Sequence, residues 1–255
     1  MSICNAKKKY QLNIITMDTL IKIIYNPLRA FRELKNSEKF PFMSLIVLLI
    51  VVVINNILMI PVSGKVLELT FSSMQIPFNE AQTKQMEVSM QMMHKLRYLQ
   101  VVGAVFTYLF MLVAYTLIIW VITKIMKQSL SFQKAFELII HCCFVVSIGA
   151  LVNVFILYGQ GIENIKNMYE ISLTGLNLLT SVEQVGATFY TFLTLINPFQ
   201  VWFLVLLTVG LATVADLKFS KAFIPSFILW VILIAFPVIT IFFTQLVMQR
   251  TGLMQ

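Results

Sequence analysis

Glu137 and His141 stand four residues apart, a spacing that places two side chains on one face of a helix. A carboxyl beside an imidazole is the pairing from which proton relays are built. Cys142 and Cys143 follow His141 directly, but consecutive helical residues point about 100° apart, so the three cannot converge on one metal ion. His94 has no partner in sequence. Asn55, Asn56 and Asn153 fall inside long apolar stretches, where an amide must find a hydrogen-bond partner or cost free energy. They can serve as glue between helices, or they can converge with Tyr108, Tyr115 and Thr116 on a polar pathway. No pairing of nucleophile and base, phosphate-cradling glycine loop or metal-ligand spacing occurs in the sequence. The expected catalytic, cofactor and metal sites are therefore none, and an enzyme is not expected.

The elements that must position these residues are unusually apolar. Hydrophobic residues make up 59% of the 255 and charged residues 12%, about half the charged share of roughly 25% in a soluble domain. Five stretches carry no Asp, Glu, Lys or Arg: Phe40 to Gly64, Tyr98 to Thr123, Leu138 to Ile162, Gln184 to Ala215 and Ala222 to Gln249. Each exceeds the roughly 18 residues that mark a candidate membrane span. The expected fold is an all-α integral membrane protein. A basic N-terminal segment covers residues 1–41, and a five-helix membrane domain covers residues 42–250. The spans fall at about 42–62, 98–123, 137–158, 197–215 and 223–247.

The net charge of +8 is a matter of topology. Lys7, Lys8, Lys9, Lys22, Arg29, Arg32, Lys35 and Lys39 precede the first span. Lys124, Lys127, Lys134, Lys218 and Lys221 join them on one side, giving 13, against Lys65, Lys84, Lys95, Arg97, Lys166 and Arg250, giving 6, on the other. The positive-inside rule then puts the N-terminus in the cytoplasm and, after five spans, the C-terminus outside. The expected partners are the bilayer, anionic lipid headgroups and other membrane proteins rather than nucleic acid. Cys4, Cys142 and Cys143 make no disulfide framework. Met1 to Lys9 lacks the apolar core of a cleavable signal, so the first span is expected to act as an uncleaved signal anchor. Met17 offers a second start.

Asn26 and Pro27 form a cap and first-position pair opening a short amphipathic helix. Leu28, Phe31 and Leu34 share one face, and Arg29, Arg32, Glu33 and Lys35 take the other. Such a helix lies in the membrane interface, with Arg29, Arg32 and Lys35 toward lipid headgroups, or packs against the ends of the spans. The first span is expected to end near Pro61. Beyond Pro77, Asn79 can cap an external helix whose Met86, Met90, Met93 and Arg97 form a stripe, for packing or as an adaptable surface. Ile171 to Leu179 is expected at the outer interface. The fourth span opens on Asn197 and Pro198, and the fifth, from about Pro225, should kink at Pro237. No internal repeat supports an inverted-repeat transporter.

Leu195-Ile-Asn-Pro-Phe-Gln-Val-Trp202, the Gly210-Leu211 pair near the end of that span and the basic turn through Lys218, Ser220, Lys221 and Ala222 resemble the bacterial branch of the Yip family. Asn26-Pro-Leu-Arg-Ala-Phe31 resembles the stretch that opens the family before its first span. The resemblance runs from about Met17 onward. It implies five spans with the N-terminus inside, a location in the bacterial cytoplasmic (plasma) membrane, and no transferable activity. Eukaryotic members associate with Rab GTPases, but their Asp-Leu-Tyr-Gly-Pro signature is absent here, so Rab binding is not carried over. The expected role is a non-enzymatic scaffold or accessory subunit organising membrane partners or lipids. The alternative is a small-solute permease with its pathway at Asn55, Asn56 and Asn153. Phe199 and Trp202, three apart, share a helix face and are expected to anchor the fourth span at the outer boundary or to pack against another helix.

Overall fold

The structure, a computed structural model, describes residues 19–37, 40–73, 80–166 and 168–250. Every regular element among them is helical. Residues 19–25 (α1) and Pro27–Asn36 (α2) precede three long helices: Phe42–Ser73 (α3), Glu80–Ile125 (α4) and Phe132–Gln160 (α5). Short 3-10 turns at Ile162–Asn164, Met168–Ile171 and Leu176–Leu179 lead to Val182–Val185 (α6), Ala187–Leu195 (α7), Pro198–Val214 (α8) and Phe219–Arg250 (α9).

Four helices, α3, α4, α5 and α9, are long and apolar enough to cross a membrane, and there are five spans if α7 and α8 are one broken span. At 1.5 Å per residue α3 is ~48 Å long and α4 ~69 Å, well beyond a hydrocarbon core of ~30 Å. The helix outlasts the span end expected near Pro61: α3 continues through Pro61 to Ser73. Proline costs one helical hydrogen bond, but an apolar surrounding offers the backbone no better partner, so the helix persists. The external helix is likewise no separate element, because α4 runs unbroken from Glu80 into the second span. Asn79 and the side chains of Met86, Met90, Met93 and Arg97 lie outside the described residues. The fifth helix starts at Phe219, ahead of Pro225, and includes both prolines.

The helix expected from Asn197 and Pro198 is present as α8, and a second helix, α7, precedes it. The fourth charge-free run holds both helices, bent by 51° at Ile196 and Asn197. The Phe199 ring lies where a side chain on Gly149 would stand, and Gly149 is near the midpoint of the Leu138–Ile162 charge-free run in α5. The break therefore lies beside the middle of α5. α8, ~25 Å long, runs from there toward the α2 end. Ile196 O accepts from Leu176 N at 3.1 Å, and Asn197 Oδ1 accepts from Gln200 N at 3.0 Å, so backbone groups freed by the break are paired.

α5 is the hub, packing against α2, α3, α4 and α8. Its residues from Ala135 to Val145 are all buried, on every face. α2 lies across α8, with Phe31 0% exposed and its ring against Gly210. Any Cβ on Gly210 would run into Leu138 and Phe31, so only glycine permits this approach. Of the apolar face expected on α2, Phe31 and Leu34 are buried with Ala30, whereas Leu28 is exposed. The bury-and-pack alternative describes this face.

Candidate functional site

Glu137 and His141, four apart, are expected to share a helix face where they can pair. Both are buried, at 5% and 2% exposure, but their side chains do not meet. Glu137 Oε2 accepts from Lys134 Nζ at 3.2 Å. His141 Nδ1 lies 2.7 Å from the Glu137 backbone carbonyl and its Nε2 lies 3.4 Å from Ser44 Oγ. A nitrogen facing a carbonyl must carry the hydrogen, so Nε2 is left to accept from the serine in a neutral ring. No proton path from carboxylate to imidazole is formed by this arrangement.

The residue that sequence reasoning missed is Lys134. Its ammonium also donates to the backbone carbonyls of Leu34 and Ser37, at the C-terminal end of α2, where carbonyls lack helical partners and a cation is favoured. One side chain thus neutralises Glu137 and ties α2 to α5. A second tie joins Lys35 Nζ to Asp216 Oδ1 at 2.5 Å in the turn after α8. Glu33 accepts from Lys22 at 3.0 Å and from Arg29 at 3.2 Å, joining α1 to α2. Of the expected lipid-facing cations, Arg29 and Arg32 are exposed, and Lys35 is half-exposed and paired with Asp216.

The three membrane amides are dispersed in their bonding. Asn56 Nδ2 donates to Val52 O of its own helix at 2.8 Å. Asn153 acts as a clamp: its Nδ2 donates to Ile171 O at 2.8 Å and its Oδ1 accepts from Leu173 N at 2.7 Å, holding the segment after α5 against the bundle. Asn55 Oδ1 is buried without a hydrogen-bond partner. Asn177, fully buried in the same far-end segment, donates to Ser172 O at 2.8 Å and to the Tyr190 hydroxyl at 3.0 Å. This segment, expected to lie on the outer interface, is folded against α5 and α7.

At the level of the helix break, Phe199 and Trp202 are half-buried against the main core, and Trp230 Nε1 donates to Gln200 O at 3.1 Å. Beside them is a cavity of about 240 Å³ between α4, α5, α8 and α9. Tyr108, Met111, Leu112 and Tyr115 line it from α4, Cys143 and Val146 from α5, Gln200 and Phe203 from α8, and Leu233 from α9. Tyr108 and Tyr115, expected on a polar pathway, do meet here, whereas none of the three asparagines lines the space. Thr116 turns its hydroxyl to Leu112 O at 2.7 Å in its own helix. Gln200 Oε1 is buried and has no hydrogen-bond partner. Gln200 stands inside the Asn-Pro-Phe-Gln-Val-Trp stretch, in the first turn of α8.

Among the described residues no group of three or more His, Cys, Asp or Glu side chains is placed to hold a metal ion. No curated protein and no solved structure matches the chain. The Yip1 domain family matches it over residues 21–240, from α1 through most of α9. That range takes in both Asn-Pro helix starts, the Gly210 contact under Phe31 and the broken fourth span, and on this match the chain belongs to the Yip1 family.

Proposed function

We propose that this protein is a non-enzymatic organiser of membrane partners in a bacterial cytoplasmic membrane, with its α2 end in the cytoplasm. One observation carries the reading. Along α4, Leu99, Val102, Phe106, Phe110, Val113, Leu117 and Val121 are all exposed, and their spacings of three and four place them in one stripe down the helix. Phe106 and Phe110 are 68% and 74% exposed. Against lipid alone any apolar residue would serve, while large aromatic side chains give a partner helix area and shape to pack on.

The stripe is tested by placing a photoreactive residue at Phe110 or, as a buried control, at Leu112, 1% exposed, and irradiating membranes. Discrete protein adducts from Phe110 and none from Leu112 are expected. Lipid adducts alone from Phe110 would overturn the reading. Orientation follows from the 13 to 6 division of cations: a reporter after Gln255 should work only outside the cytoplasm and one near Gln128 only inside.

The exposed Arg29 and Arg32 support attraction to anionic headgroups, worth about 1 kcal/mol per cation near the surface. A permease has less support. Asn56 and Asn153 spend their amides on the protein's own backbone, and the mid-depth cavity is lined mainly by apolar side chains.

A further inference from the structure

The apolar face of α2 is spent inside the protein, with Phe31 and Leu34 buried. α1 is apolar on two sides. Leu20 and Ile23, three apart, are buried in the main core. Ile21, Ile24 and Tyr25, at spacings that share a helix face, are exposed, and Leu28 at the start of α2 adds a fourth large side chain to them; the four are 45–67% exposed. Because Leu20 and Ile23 hold α1 in the core, it cannot turn these outer residues inward. We propose that this outer face enters the acyl layer of the leaflet at the α2 end, and that Arg29 and Arg32 beside it hold the phosphates of anionic phospholipids. The proposal rests on the reading of the chain as spanning a membrane with exposed cations at its α2 end, and it is independent of the partner surface on α4.

Depth is the first support. Charges resume at Asp216, just past the end of α8, so that turn marks the membrane boundary. Lys35 bonds Asp216, while Phe31 packs at Gly210, six residues earlier, which places the buried face of α2 ~9 Å along α8 from the boundary at 1.5 Å per residue. An interfacial helix sits with its apolar side at about this depth, roughly 5–10 Å into the boundary between headgroups and chains.

Charge is the second. Four cations, Lys22, Arg29, Arg32 and Lys35, meet two carboxylates, Glu33 and Asp216, so two positive charges are left over. Lys35 is taken by Asp216, and Glu33 is shared between Lys22 and Arg29. Arg32 is exposed, and Arg29, whose side chain is 68% exposed, gives Glu33 its Nε, one of the five donors of a guanidinium. Guanidinium groups suit phosphate because their donors form a planar fork. Leu28 and Arg32, four apart, share a face of α2, so stripe and cation stand side by side. Tyr25 adds a ring with a polar tip, the type that favours the membrane boundary. A protein partner would need acidic groups to meet the arginines, whereas an anionic lipid surface supplies phosphate and hydrocarbon together.

The test uses the full chain in nanodiscs of phosphatidylcholine and phosphatidylglycerol in equal parts, with a photoreactive diazirine residue in place of Ile24. Irradiation is expected to give lipid adducts in which phosphatidylglycerol exceeds phosphatidylcholine at least threefold by mass spectrometry. The same residue in place of the buried Leu20 should give at least fivefold less lipid adduct. Arg29→Gln together with Arg32→Gln should bring the two lipids to near parity. Adducts confined to the chain itself or to a second copy would overturn the proposal, and so would lipid adducts in mixing proportion when both arginines are present. That comparison of two lipids in one sample stands whether or not the double variant folds. Both leaflets of a nanodisc have the same lipid, so the result depends neither on orientation nor on what the α4 stripe contacts.

Discussion

α4 and α5 are neighbours with nearly the same membrane character: their spanning portions have mean hydropathies of 2.3 and 2.4. Yet half of that window in α5 is buried inside the protein and only 17% of it in α4. Hydropathy states that a helix belongs in the membrane and is silent on what it faces there. The difference shows in residue choice. α5 carries its small and polar side chains, Ser147, Gly149 and Asn153, where another segment of the chain meets them. α4 instead sets phenylalanines on its open face. In lipid, where apolar burial gives helices little reason to associate, small residues and polar bonds hold the contacts within this chain, while aromatic side chains on the open face of α4 offer a partner area and shape.

The sharpest way to break that contrast is to delete the same side chain in both surroundings. Phe31→Ala removes a fully buried ring from between α2, α5 and α8 and should cost ~3–5 kcal/mol, read as a large loss of thermal stability in detergent. Phe110→Ala should stay within ~0.5 kcal/mol, as exposed substitutions do. Similar losses at both positions would erase the distinction between hub and open face.

A smaller effect is expected at the α2 end. Lys134→Met leaves the buried Glu137 carboxylate without this cation and removes the donation to the Leu34 and Ser37 carbonyls at the end of α2. With Lys134 at 19% side-chain exposure and Glu137 at 7%, a loss of about 2 kcal/mol is expected, below the 3–5 kcal/mol of a fully buried pair. Adding Glu137→Gln should recover part of it, because the uncompensated charge is then gone. A double variant less stable than Lys134→Met would show that the carboxylate is held by something other than this lysine.

At the helix break, Gly149→Ala should cost ~1–3 kcal/mol by overpacking against the Phe199 ring. Phe199→Leu in the same chain should relieve it. Unchanged stability in Gly149→Ala would place the ring elsewhere and remove the argument that the break packs beside the middle of α5.

Much of the architecture was legible in the residues. The spacing of charges located the membrane helices, and both Asn-Pro pairs cap helices as read: Asn26 Oδ1 accepts from Arg29 N at 3.3 Å, and Asn197 Oδ1 accepts from Gln200 N at 3.0 Å. Pro61, expected at the end of the first span, lies inside a helix that continues to Ser73. The helix start at Asn197 is legible in the Asn-Pro pair, whereas α7 ahead of it is not, because the charge-free run Gln184 to Ala215 is continuous in composition. Glu137 and His141 share a helix face as their spacing said, but their partners come from one turn earlier, Lys134, and from another helix, Ser44. Such contacts between segments distant in sequence leave no mark in local spacing, and the Gln200 cavity, which needs four helices, leaves none either.

The central claim, that the open face of α4 is a partner surface rather than bulk lipid contact, is tested most directly by a Phe106→Ala, Phe110→Ala double variant carrying the photoreactive residue at Val113, three residues further along the stripe. Irradiated membranes should show the protein adducts lost or reduced at least fivefold while thermal stability in detergent stays within about 1 kcal/mol of the parent. Adducts that persist at the parental level after both rings are removed would contradict the account.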